Sequence, residues 1–221
     1  ELSHMNSLDI LKRVDHTVLA PTVTLEQVLA ACDDAMRFQA ASVCIPPRFV
    51  KRANEYVGKN LKLTTVVGFP NGYSTPEVKV FEAEDAIRNG ADEVDMVINL
   101  GLAKVGDWEG VLQEIKAVKK CCKGRILKVI VETSELTKEE MIAVSRVVSM
   151  SGADYVKTST GFAEGGATVE DVRLLREQLS PDVRIKASHG VRTFEQAQAL
   201  LDAGADRIGS SSLVALAKET L

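Results

Sequence analysis

Histidine is scarce in this chain, three residues in 221, which leaves little for a histidine-built metal site. The four cysteines, Cys32, Cys44, Cys121 and Cys122, have neither disulfide nor zinc-site spacing. Reduced thiols in a cytoplasmic protein are the simplest account of them. No apolar run approaches the ~20 residues that cross a bilayer, and no signal peptide is recognisable, so no membrane partner is expected. No basic patch or arginine-rich arm occurs; Lys plus Arg number 27 against 31 Asp plus Glu, a formal charge of −4, which argues against nucleic acid. What remains is an ordinary globular composition, 45% hydrophobic and 26% charged, at a length suited to one large domain. Residues 1–5, Glu1-Leu2-Ser3-His4-Met5, read as a cloning remnant with Met5 a native start, and residues 6–221 as one domain.

Strand-like and helix-like stretches alternate throughout. Strands are expected at Asp15–Thr17, Ser42–Ile45, Leu61–Val67, Glu93–Val97, Arg125–Val131, around Tyr155–Lys157, at Val183–Ala187 and at Arg207–Gly209. Helices are expected over Thr24–Phe38, Arg48–Tyr56, Thr75–Asn89, Asp107–Val118, Thr137–Met150, Thr168–Gln178 and Thr193–Ala203, with a last one from Ser211. Gly-Ala-Asp recurs at Gly90, Gly152 and Gly204, each time as a helix stop and a turn into the next strand. Eight βα units in this length fit an α/β fold of the closed (β/α)8 type, a TIM barrel, better than a doubly wound open sheet.

In such a barrel, chemistry collects at the C-terminal ends of the strands. Asp15, Cys44, Asp95, Lys128, Lys157 and Lys186 stand there, each on a different strand. A strand lysine is costly when charged and unpaired. A lysine that attacks a carbonyl needs that cost, because at its reference pKa only about 0.04% of the amine is neutral at pH 7. Lys157, followed by the hydroxyls of Thr158 and Ser159, is the candidate nucleophile; pairing with a carboxylate is the structural alternative. Lys186, taken as the strand next but one along, would repel it, so that each lysine lowers the other's pKa. Asp95 suits proton transfer or a plain ion pair, and Lys128 a supporting role. Ser188-His189-Gly190 and Gly209-Ser210-Ser211-Ser212 each open a helix, the setting for a phosphate, with ordinary N-capping as the alternative.

These phrases, together with Val67-Gly68-Phe69-Pro70, Leu127 through Thr133 and Ala153 through Phe162, resemble the 2-deoxyribose-5-phosphate aldolase family over nearly the whole chain. The resemblance implies a cofactor-free, metal-free class I aldolase. Its substrates would be small aldehydes and a sugar phosphate, with acetaldehyde added to glyceraldehyde 3-phosphate and 2-deoxyribose 5-phosphate cleaved in reverse. It makes Lys157 the Schiff-base lysine, Lys186 its electrostatic partner and Asp95 the proton-transfer residue. Asp15, Cys44, Lys128 and Thr158 would face substrate. Gly161, Ser188, His189, Gly190, Gly209, Ser211 and Ser212 map onto the phosphate turns. Exposed barrel helices often carry dimer contacts, so a homodimer is among the expected partners, although no stripe in the sequence identifies the face.

Three features depart from the pattern. His189 stands where the family usually has a second glycine, Asn71 occupies a position often filled differently, and the chain ends at Leu221 without the tyrosine of tailed members. A histidine there would clash with a phosphate, donate to it, or reshape the pocket. An aldolase diverted, by nature or by design, toward non-phosphorylated aldehydes or enals is therefore an alternative. A barrel that only binds a sugar phosphate is another.

Overall fold

The structure, a computed structural model, describes residues 6–221; the remnant assigned to residues 1–5 lies outside them. Eight parallel strands close into a barrel in chain order, β1 pairing with both β2 and β8. They are β1 (Val14–Thr17), β2 (Ser42–Cys44), β3 (Leu63–Val67), β4 (Glu93–Val97), β5 (Ile126–Ile130), β6 (Tyr155–Lys157), β7 (Arg184–Ser188) and β8 (Arg207–Ser210). Closure decides against the open sheet. The helices are α1 (Ser7–Leu11), α2 (Leu25–Arg37), α3 (Val50–Val57), α4 (Pro76–Asn89), α5 (Leu100–Lys104), α6 (Trp108–Cys121), α7 (Lys138–Ser151), α8 (Val169–Gln178), α9 (Phe194–Ala203) and α10 (Leu213–Thr220).

Local chemistry sets the helix boundaries. Thr24, Thr137 and Thr193 close capping boxes with Gln27, Glu140 and Gln196. Thr75 caps α4 ahead of Pro76 at its first position. The Gly-Ala-Asp repeat has a specific purpose. Gly90 and Gly152 end their helices in the left-handed conformation. Two residues on, the aspartate clasps the preceding strand. Asp92 Oδ2 accepts from Leu63 N at 2.8 Å, Asp154 Oδ2 from Leu127 N at 2.9 Å and Asp206 Oδ2 from Ile185 N at 3.0 Å. Each aspartate's own N–H is donated back to that residue's carbonyl. Three of the eight strand entries are thus pinned in register by one side chain each.

The expected elements are present, with five adjustments. Helices α1 and α5 carry no long periodic stripe and were not anticipated. The segment at Arg48 divides into a 3₁₀ turn, Pro47–Phe49, and α3, because Pro46-Pro47 delays the first helical hydrogen bonds. β3 starts at Leu63, where Asp92 grips it, and α6 runs on to Cys121. β6 and β7 are immediate neighbours with Lys157 opposite Lys186, so the two lysines are closer than the two-strand spacing read from the sequence.

Apolar side chains from both faces of the strands and the inner faces of the helices form one continuous core. Strands of a parallel barrel are covered on both sides, which explains their near-continuous apolar runs. The charged interruptions form the candidate site.

Candidate active site

Seven ionisable side chains meet inside the barrel. Glu93 and Asp95 lie two residues apart on β4 and share a face. Register places Asp95 beside Lys128, Lys157 beside Lys186, and Lys186 beside Arg207. Arg207 Nη1 reaches Asp15 Oδ1 and Glu93 Oε1, both at 2.8 Å. Lys128 Nζ lies 2.7 Å from Glu93, 3.0 Å from Asp95 and 3.2 Å from Asp15. Lys186 Nζ lies 2.7 Å from Asp15 Oδ2 and 2.9 Å from Asp95 Oδ2. Lys157 Nζ has a single carboxylate oxygen, the same Asp95 Oδ2, at 3.1 Å. Ser42 Oγ and Thr64 Oγ1 complete the network at Asp15 and Lys128.

The count of charges decides which group gives way. Four cations, Arg207, Lys128, Lys186 and Lys157, face three carboxylates, Asp15, Glu93 and Asp95. Buried charge in a low-dielectric interior tends to neutrality. The network balances when one cation loses its proton, and the least paired is Lys157. Its pKa is lowered, first by burial and then by the Lys186 ammonium, against the pull of Asp95. Lys186 and Lys128 go the other way. Burial disfavours their charge, but Asp15 and Asp95 together outweigh it and raise both, with Glu93 adding to Lys128. The expectation that the two lysines depress each other is therefore corrected: only Lys157 ends below its ordinary value. Burial works against the charged forms of Asp15 and Asp95 too, yet their lysine neighbours hold both below the carboxylate range.

Above the network a cavity of about 640 Å³ opens at the C-terminal ends of the strands. Lys157 lies in its lining, with Ser188, His189, Gly190, Gly161, Gly209, Ser211 and Ser212 around it. Asp95, Asp15, Lys128 and Lys186 do not line the cavity; they lie buried, linked to it through Lys157. All four residues expected to face substrate, Asp15, Cys44, Lys128 and Thr158, are placed differently, Asp15 and Lys128 being held within the charge network. Thr158 is fully buried, its hydroxyl taking the Ser188 N–H at 3.1 Å, so it ties β6 to β7. Cys44 is fully buried, and that burial pushes its thiol up although Lys186 and Lys157 pull it down. Across the mouth, Phe162 meets Phe69 edge to face at 5.5 Å, and Lys157 Nζ lies 5.9 Å from the Phe69 ring centre. These rings help to keep water from the amine.

The two helix openings differ. At α9, Thr193 and Gln196 consume the local N–H groups: Gln196 Oε1 accepts from Arg192 N and Thr193 N, and Thr193 Oγ1 from Gln196 N. At α10, Ser210 does the capping, taking the Ser212 and Leu213 N–H groups while donating to Val191 O. The Ser212 side chain makes no cap bond. Ser210, absent from the sequence candidates, thus leaves Ser211 and Ser212 to the cavity. His189 has φ of 73°, the left-handed region glycine favours, and its ring packs over Gly161. Arg207 and Glu93 were also missed, although a charge inside an apolar strand was the signal. Glu132 was missed as well; it receives Thr160 N at 3.1 Å and Thr160 Oγ1 at 2.6 Å and so fixes the loop after β6.

A Cβ at Gly209 would stand 2.9 Å from Lys186 Cε and 2.8 Å from Ser188 Cβ. Gly209→Ala is expected to destabilise the fold by about 1–3 kcal/mol through overpacking. Thermal unfolding of the variant beside the parent checks this, and an unchanged midpoint would mean that the barrel interior relaxes freely there.

Comparison with known proteins bears on the family and the fold. Residues 10–217 match the family described as DeoC/LacD family aldolase. A deoxyribose-phosphate aldolase from Streptococcus pyogenes serotype M4 is 52% identical over 214 residues, covering 97% of this chain and 96% of the relative. One from Streptococcus agalactiae serotype Ia is 51% identical with the same coverage. Among solved structures, an aldolase called QR15 superposes with a TM-score of 0.91 at 37% identity, covering 96% of this chain and 95% of that one. A deoxyribose phosphate aldolase from Aeropyrum pernix, described as tetrameric, gives 0.91 at 31% identity, covering 100% of this chain and 96% of that one.

Proposed function

The chain belongs to the DeoC/LacD aldolase family, and on that footing we propose that it is a deoxyribose-phosphate aldolase working through a Schiff base on Lys157. The reaction joins acetaldehyde to glyceraldehyde 3-phosphate and, in reverse, cleaves 2-deoxyribose 5-phosphate. The observation that carries the reading is the singly paired Lys157, at the cavity, in a network one positive charge over balance.

Neutral Lys157 adds to the acetaldehyde carbonyl, and the carbinolamine loses water to give an iminium. The iminium nitrogen takes up the electron pair released when the neighbouring carbon gives up a proton, forming an enamine. Asp95, bonded to both Lys157 and Lys186, is the proposed acceptor of that proton through water, with the lysines setting its charge. The enamine carbon attacks the acceptor aldehyde, whose oxygen is protonated. Water then hydrolyses the new iminium and frees Lys157. Ser211, Ser212, Gly190 and Gly209 are assigned to the phosphate, Ser188 and Gly161 to the adjoining wall, and Asp15 and Lys128 to holding Asp95 and Lys186 in place.

His189 carries a second reading. Its bulk and left-handed backbone occupy the phosphate end of the cavity, which favours acceptors without phosphate. The relative kcat/KM for 2-deoxyribose 5-phosphate and 2-deoxyribose separates the two. A second copy of the chain is the proposed partner for the exposed Tyr73, Val78 and Phe81 on and before α4. No helix among the described residues is long and apolar enough to cross a membrane. A cytoplasmic setting is proposed from the four free cysteines.

Borohydride reduction in the presence of acetaldehyde, followed by peptide mass mapping, tests the assignment. A reduced two-carbon adduct confined to Lys157 is expected. An adduct on another lysine would move the nucleophile, and none at all would leave a barrel that only binds sugar phosphates.

A further inference from the structure

The opposite end of the barrel holds a second concave site, of about 370 Å³, lined by Lys12, Arg13, Arg184, Arg207, Tyr155 and Asp206. All stand at or just before the N-terminal ends of their strands, away from the Lys157 cavity. Four cations converge there on one carboxylate. Asp206 already receives Ile185 N, and Lys12 is 3.9 Å from Asp9 at the rim. No side-chain partner is found for the Arg13 guanidinium among the described residues. Tyr155, 2% exposed, accepts from Arg207 Nη2 at 3.3 Å and also bonds Arg184, and no acceptor takes its own proton. Guanidinium forks and a phenol facing a small pocket match the oxygens of a phosphate dianion.

We propose that this N-terminal mouth is an anion site for inorganic phosphate or a phosphate monoester, linked to Lys157 through Arg207. The site and the catalytic network share Arg207, whose Nη1 bonds Asp15 and Glu93, the carboxylates that hold Lys186 and Lys128. A bound anion adds negative charge to an assembly with one cation in excess. It removes the reason for Lys157 to lose its proton, so phosphate at the mouth lowers the neutral fraction of the amine. By linkage, the protonated enzyme binds phosphate more tightly than the deprotonated one. The electrostatic link rests on Lys157 being the imine-forming lysine; the site itself does not.

The test uses inorganic phosphate, titrated calorimetrically into the parent and into Arg13→Ala/Arg184→Ala. Both arginines are exposed and outside the catalytic network, and matched thermal midpoints establish that the variant folds. The parent is expected to bind one equivalent more than the variant, two against one where the Lys157 cavity also takes phosphate and one against none where His189 excludes it. Equal stoichiometry in parent and variant overturns the site. Glycerol phosphate in a parallel titration distinguishes the ester from the free ion as occupant. For the link, borohydride trapping with acetaldehyde is followed against pH at constant ionic strength. Phosphate is expected to raise the midpoint in the parent by about 0.3–0.5 unit more than in the variant, a two- to threefold loss of neutral amine. Equal shifts in both overturn the link. Absence of trapping in every sample strikes at the imine assignment and leaves the stoichiometry standing.

Discussion

Asp95→Asn is expected to reduce aldol turnover about 10³-fold while leaving imine trapping at Lys157 intact. The substitution keeps size and one acceptor oxygen but removes a charge that three lysines share. Two carboxylates then face four cations, so the drive for Lys157 to shed its proton increases. Neutral amine is more plentiful, and the first covalent step does not suffer. What disappears is the base that takes the proton from the iminium, and every later step depends on the enamine. Removing one partner of a buried ion pair costs stability too, about 3–5 kcal/mol. Thermal unfolding therefore accompanies the kinetics, which are measured well below the variant's midpoint. Rapid-quench trapping beside steady-state cleavage separates the steps. If adduct formation and turnover fell together, Asp95 would be acting on the lysine alone, and its role in proton transfer would be lost.

The architecture was readable because its signals are local. Helix caps at Thr24, Thr137 and Thr193, and glycine stops at Gly90, Gly152 and Gly204, depend on residues a few positions apart. The strand charges announced themselves by cost: a lysine inside Ile126–Ile130 must have a partner. Which partner it has depends on register between strands distant in sequence, and no local pattern encodes that. Lys186 therefore looked like a depressed lysine until Asp15, 171 residues away, was found beside it at 2.7 Å. Thr158 looked like a substrate contact for the same reason, since its hydroxyl is used by a backbone 30 residues on. Arg207 was hidden because it begins a strand, where an arginine reads as a solvent-facing end. Ser210 was indistinguishable in sequence from Ser211 and Ser212, because all three are serines in one turn. Only geometry shows that the first is spent on capping.

Lys186→Met reverses the charge balance and is expected to lower activity at pH 7 about 10²–10³-fold, with recovery at alkaline pH. Methionine fills similar space without charge. Three cations, Arg207, Lys128 and Lys157, then face the same three carboxylates, and the network is neutral with Lys157 protonated. Asp95 Oδ2, freed from Lys186, is left to Lys157, and the ammonium that repelled Lys157 is gone. Both changes raise the Lys157 pKa toward its reference of about 10.4, where only about 0.04% of the amine is neutral at pH 7. The sign follows directly. Below the raised pKa the rate climbs tenfold per pH unit, so the variant's profile is displaced to higher pH than the parent's. A Lys186 that merely contacted substrate would lower the profile at every pH without moving it. Borohydride trapping with acetaldehyde from pH 6 to 10 makes the distinction on the first covalent step alone. A profile lowered but not displaced would show that Lys186 does not set the Lys157 proton equilibrium, and the charge count would have to give way to a steric account of the same pair.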